Sequence, residues 1–241
     1  MSKILIVFRG DCNRFTDYQF IYNNIKLKIL DPLNSKNYTY DIIASSYLEQ
    51  LNNLNEFSKY FNPIKLYTMN KDNSTQVKQF MFTVNMIKTN INIAEYTKIL
   101  FLRFDIVYKM SIINWKYLDT CGFIVPYKED SNELFNTHKY HSDVFLSIDT
   151  NLFEEFYKYL NCIYLQYLNN SYTDIIAHEP FPLNLLHNVA NILLYYNPNF
   201  IISYCIDGCY QSNTSVSDNR LSPLFICLSK QYHSNDIHLL F

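Results

Sequence analysis

The chain has 241 residues, 49% hydrophobic and 17% charged, a globular composition with enough length for one full-sized core. Its formal net charge is −2 with no compensating basic stripe, so a nucleic-acid partner is not expected. Gly10, Gly122 and Gly208 are its only glycines, which excludes a Walker loop or a GxGxxG turn and leaves any phosphate to side chains or a metal.

Ile4–Phe8 reads as a buried strand that ends at Arg9-Gly10-Asp11, and Asp41–Ala44 as a second that ends at Ser45-Ser46. Leu48, Leu51, Leu54, Phe57 and Phe61 keep helical spacing, which predicts a helix over 47–60 stopped before Pro63. Ile64–Tyr67 gives a third strand, and Val77, Phe80, Met81, Val84, Ile87 and Ile91 mark one face of an amphipathic helix. That helix leads into a continuous apolar run over 98–108 that carries Arg103 and Asp105. Side chains two apart on a strand share a side, roughly 7 Å from one another. A cation and an anion therefore emerge together where a core strand ends, the place where open α/β sheets bind ligands. Burying either charge unpaired is costly, so the competing reading is a structural Arg–Asp pair.

The second half reads differently. Gly122–Pro126 and Asp143–Ile148 are short strands, predicted as antiparallel additions. Asp149 or Asn151 is expected to cap a helix with Glu154 and Glu155 in its first turn and Leu152, Phe156, Tyr159, Leu160, Ile163 and Tyr167 as its buried stripe. A helix over about 183–195 follows Pro180 and Pro182, Ile201–Ile206 is a last strand, and 207–222 reads as a polar loop. The sum is an α/β fold with a mostly parallel central sheet, helices on its faces and antiparallel additions, arranged as a single domain over 1–241. No signal-peptide core and no run of membrane-spanning length is seen, and six dispersed cysteines without CxxC pairs fit reduced thiols, so a cytoplasmic setting is expected.

Ile4-Leu5-Ile6-Val7-Phe8-Arg9-Gly10, Tyr40-Asp41-Ile42-Ile43 and Leu102-Arg103-Phe104-Asp105, taken in that order, resemble the GT-A-fold (Rossmann-like) glycosyltransferases of giant DNA viruses, chlorovirus- and mimivirus-like, and of bacterial surface-polysaccharide clusters. His141-Ser142-Asp143-Val144-Phe145-Leu146-Ser147 resembles that family's segment of an acid before an aromatic strand. His178-Glu179-Pro180 with Leu185, Leu186 and His187 resembles its acid followed by Leu-Leu and His on a helix. The likeness covers roughly residues 1–195 and departs from the family at Arg103, which stands where the first acid of Asp-x-Asp belongs.

The resemblance implies transfer of a sugar from a nucleoside-diphosphate sugar to a glycan or glycoprotein acceptor, with a nucleotide-binding half about 1–110 and an acceptor-side half about 111–241. For a viral protein the setting would be the host cytoplasm. It places the nucleoside at Phe8, Arg9, Gly10 and Asp11, and the diphosphate at Arg103 and Asp105, with Asp105 as ligand to Mn²⁺ or Mg²⁺, cations that prefer oxygen donors and bridge phosphates. A guanidinium suits phosphate oxygens, so metal-independent transfer is an alternative. On the acceptor side Asp143, then Glu179, are candidates for the catalytic base that takes the acceptor proton.

Each candidate has a plainer counterpart. The 8–11 segment is also an ordinary strand-to-loop turn, and Glu179 a first-turn charge. His138, His141 and Asp143 lack the converging ligands a zinc site needs. Trp115, the only tryptophan, reads first as core or interface. The rival functions are a nucleotidyltransferase, which normally carries the Gly-rich loop missing here, and a non-catalytic binding or scaffold protein of the same fold.

Overall fold

Strand β1, Lys3–Arg9, is buried from Ile4 to Arg9, because its alternating side chains enter two different cores. In the computed structural model, which describes residues 2–12, 18–71, 75–116, 118–119, 122–129, 144–168, 201–210 and 224–227, Ile4, Ile6 and Phe8 join one hydrophobic layer and Leu5 and Val7 the other. The first layer holds α1, Tyr18–Ile25, and α3, Leu51–Phe61. The second holds α4, Gln76–Asn90, and α5, Phe153–Leu168.

Strands β2 (Thr39–Tyr47), β3 (Lys65–Met69), β4 (Lys98–Arg103), β6 (Phe123–Val125), β8 (Leu146–Asp149) and β9 (Ile202–Tyr204) complete a seven-stranded sheet. Its order is β3-β2-β1-β4-β8-β6-β9, and the two-residue strands β7 (Lys128–Glu129) and β10 (Cys209–Tyr210) pair with each other outside it. The first four strands run parallel, whereas β8 runs antiparallel to both β4 and β6. The expected fold class, a mostly parallel sheet between helices with antiparallel additions in the second half, is therefore the one observed.

Local chemistry sets the helix ends. Thr75 caps α4 by accepting the Lys78 N–H at 3.2 Å. Asn62 closes α3 in the left-handed region at φ 47°, its N–H bonded to the Ser58 carbonyl. The helix expected over 47–60 begins as a 3-10 turn at Leu48–Gln50 and becomes α-helical at Leu51. Helix α1 and the short α2, Asp31–Ser35, lie where the apolar spacing predicts no element. Between them Lys26–Leu30 is a π turn, with the Asp31 N–H reaching the Lys26 carbonyl. Pro32 lacks an N–H and crowds the carbonyl four residues back, which favours this wider winding.

Two expectations need correction. The run over 98–108 is not one strand: β4 ends at Arg103, Phe104-Asp105 turns, and β5, Ile106–Tyr108, leaves the sheet to pair with β11, Phe225–Cys227. Phe104 drives the bend by entering the first layer, its ring 5.9 Å from Phe8 and 5.1 Å from Phe57. Asp149 makes no side-chain cap bond. Its carboxylate instead accepts the Gly122 N–H at 2.7 Å and pairs with Lys98 at 3.2 Å, because a buried lysine opposite it in register needs an anion. The helix expected over 183–195 lies outside the described residues, as does most of 207–222. No helix among the described residues is long and apolar enough to cross a membrane.

Candidate functional site

Strand order reverses between β1 and β4, and the carboxyl ends of neighbouring strands at such a point border a crevice. Arg9 and Arg103 occupy those two ends, in register with each other. Both follow the alternation onto the α4 side of the sheet. Arg9 is only 1% exposed, and its guanidinium lies 4.7 Å from the centre of the Phe80 ring, a cation–π arrangement in a desolvated place.

Arg103 closes on Asp105. Its Nε donates to Oδ1 at 2.7 Å and Nη2 to Oδ2 at 2.5 Å, a bidentate fork across the bend after β4. The two side chains are 14% and 5% exposed. The sequence reading brings the pair together for a strand's reason, side chains two apart. The structure brings it together through a turn, with each partner neutralising the other.

Beside them the chain leaving β1 is clamped. Gly10 adopts φ +104°, a conformation that side-chain-bearing residues rarely adopt, while a Cβ there would meet nothing. Its N–H still reaches the Ser45 carbonyl at 3.1 Å, and its own carbonyl accepts from the Ser46 hydroxyl at 2.7 Å. The buried Gln50 amide then accepts the Cys12 N–H at 3.0 Å and donates to Asp11 at 2.5 Å. Lys71, arriving from β3, stands 3.5 Å from the other Asp11 oxygen. Its N–H bonds to Glu49 and holds that carboxyl below its usual range. Burial pushes the Cys12 thiol up to about 11, although the Ser46 hydroxyl opposes the shift. On the α4 side Ser45, Gln79 and Thr83 form a second buried polar cluster, with Thr83 donating to Ser45 at 2.8 Å.

Of the residues proposed from sequence, Arg9, Gly10, Asp11, Arg103 and Asp105 therefore meet at one edge. Phe8 does not belong with them. Its ring is fully buried between Phe57 and Phe104, so it packs the core and cannot stack on a base. Trp115 is core too, stacked on Phe145 at 4.5 Å. Asp143, Glu179, His138, His141, His178 and His187 lie outside the described residues. Sequence reasoning passed over Ser46, Gln50, Lys71 and Gln79. The signal for them was modest but present: two small hydroxyl residues end the buried run of β2, and one glutamine interrupts the apolar stripe of α4.

A divalent metal on Asp105 does not fit the described residues. Its carboxylate is engaged by the Arg103 fork, and no group of three metal-binding side chains converges among them.

No family model matches the chain, and no curated protein matches it either. Among solved structures it is similar to 4-diphosphocytidyl-2C-methyl-D-erythritol synthase from Anaerococcus prevotii, with a TM-score of 0.52 and 9% sequence identity over 99% of this chain and 93% of that one. At that identity the likeness establishes a shared fold.

Proposed function

We propose that this chain is a glycosyltransferase that moves a sugar from a nucleoside-diphosphate sugar to a glycan or glycoprotein, as the resemblance to GT-A enzymes of giant viruses and polysaccharide clusters implies. The observation that supports it most is the register of Arg9 and Arg103 across the β1/β4 reversal, with Asp11, Lys71 and Asp105 at the same edge. In the reaction the acceptor oxygen bonds to the anomeric carbon as the bond from that carbon to the diphosphate oxygen breaks. The diphosphate leaves with the electron pair, and the acceptor proton passes to a carboxylate, for which Asp143 and then Glu179 are the candidates. Arg103 meets the leaving diphosphate by exchanging part of its fork from Asp105 to phosphate oxygens. Arg9 strengthens the positive field behind it, and the Gln50-clamped turn holds the nucleoside side. In this scheme the Arg103 guanidinium meets the diphosphate charge, so transfer can proceed with or without Mn²⁺ or Mg²⁺.

Nucleotidyl transfer is the second reading, favoured by the likeness to a synthase whose name describes a diphosphocytidyl product. Against it stands the absence of a glycine-rich loop after β1, where Gly10 is the lone glycine. Calorimetric titration with UDP-, GDP- and CDP-sugars and with the corresponding triphosphates, each with Mn²⁺ or with EDTA, separates the two. A sugar nucleotide bound in EDTA and turned over to a free nucleoside diphosphate is the expected outcome. Release of pyrophosphate from a triphosphate favours the second reading, and no binding at millimolar ligand overturns both.

A further inference from the structure

A cleft runs along the outer seam of α1 and α3. Tyr18 opens α1 at one end of it. From there an aromatic ladder runs along the seam. The Tyr18 and Tyr22 rings lie 6.0 Å apart, and Tyr22 and Tyr60 5.3 Å apart. With Gln19, Glu56 and Lys59 they line an open cleft of about 230 Å³.

The lining is both aromatic and polar, and part of it is held in place. Asn23 Oδ1 accepts from the Tyr60 hydroxyl at 2.6 Å and from the Gln19 amide at 3.1 Å, fixing both side chains. Lys59 and Glu56 pair at 2.5 Å on the rim, so their charges cancel. A neutral charge balance disfavours a phosphate-bearing or strongly cationic ligand. A purely apolar ligand would strip water from an ion pair and an amide without replacing their hydrogen bonds. A pyranose ring satisfies both demands, with a C–H face for the tyrosines and a hydroxyl rim for the amide, carboxylate and ammonium.

We propose that the α1/α3 cleft is a binding subsite for a neutral pyranose unit of a glycan, outside the half of the chain given to acceptor chemistry, with Tyr60 and Gln19 as its recognition residues. Taking that glycan as the acceptor would rest on the glycosyltransferase reading; the subsite itself does not. The test is a printed array of neutral oligosaccharides probed with the full chain, followed by titration of the best-retained glycan into wild type, Tyr60→Ala and Gln19→Ala. Gln19 is exposed, so Gln19→Ala should melt close to wild type; Tyr60→Ala also loses ring contacts with Tyr22 and Phe61, so its circular dichroism and an unchanged nucleotide affinity serve as the folding control. Tyr60→Ala should weaken the glycan about tenfold, with Gln19→Ala weakening it less and nucleotide affinity unchanged in both. An array on which nothing is retained, or a glycan bound equally by wild type and both variants, overturns the subsite. Titration of UDP, GDP and CDP runs in parallel: glycan binding without nucleotide binding supports the subsite and overturns the transferase, and the reverse result does the opposite.

Discussion

Replacing Arg103 alone should destabilise the chain, whereas replacing it together with Asp105 should not. Arg103→Met leaves a carboxylate at 5% exposure without the guanidinium that faces it, a change expected to cost about 3–5 kcal/mol. The double variant Arg103→Met, Asp105→Leu removes both charges and should unfold in urea near the wild-type midpoint, because desolvating the pair consumes much of its attraction. Nucleotide affinity should be lost in both. A double variant that folds and still binds nucleotide normally would reduce the pair to a structural bend-closer. The same reasoning rules out Asp105→Asn as a clean activity probe, since it disturbs a buried fork. Thiol chemistry offers a second check at this scale: iodoacetamide at pH 8 should alkylate the exposed Cys162 in the native chain. Cys12, buried and with its thiol pushed up to about 11, should react only on unfolding, as peptide mapping would show.

At the amino edge of the sheet, three elements are tied by one carboxylate. Asp41 on β2 pairs with Lys3 on β1 at 2.7 Å and accepts from the Tyr96 hydroxyl, just before β4, at 2.7 Å. Burial by itself raises the Asp41 pKa, but the bonds from Lys3 and Tyr96 outweigh it and hold the group below its ordinary 3.8. A carboxyl depressed in the folded state contributes stability that is complete above the unfolded value and is lost as pH falls through the folded one. Acid titration of the wild type should therefore show a loss of stability below about pH 4 that Asp41→Asn lacks, while Asp41→Asn is less stable at pH 7 by about 1 kcal/mol. Strands β1 and β2 are legible in the sequence as continuous apolar runs, and α4 because its apolar residues keep helical spacing on either side of Gln79. The break after β4 is not, since Phe104 and the Arg103–Asp105 fork decide it in three dimensions while the apolar run continues to Tyr108. Helix α1 escapes for the converse reason: Tyr22 is buried with only a phenol's amphipathic signal, and Asn24, which bonds the Tyr108 backbone at 2.7 and 2.9 Å, looks like a surface residue in the string.

The whole molecule turns on the reversal of strand order between β1 and β4, which neither strand announces by itself. Arg9 and Arg103 lie far apart in the sequence, yet the parallel crossovers set them in register. Their shared edge was legible only as two separate strand ends; the topology joins them. If that edge binds a diphosphate through its cations, binding must stabilise the folded chain by mass action. At about one hundred times Kd the gain is about 2.7 kcal/mol, which for a chain of this length raises Tm by about 5–10 °C. The shift should shrink as salt rises, because part of the attraction is screened, and it should be the same in EDTA as in Mn²⁺. Differential scanning fluorimetry with the best nucleotide sugar measures all three dependences at once. A shift that vanishes in EDTA would assign the phosphate to a metal and demand acidic ligands from beyond the Arg103–Asp105 bend. A shift that persists in EDTA and disappears in the Arg103→Met, Asp105→Leu double variant would locate the ligand at the strand reversal and leave the guanidinium groups to offset the leaving group's charge.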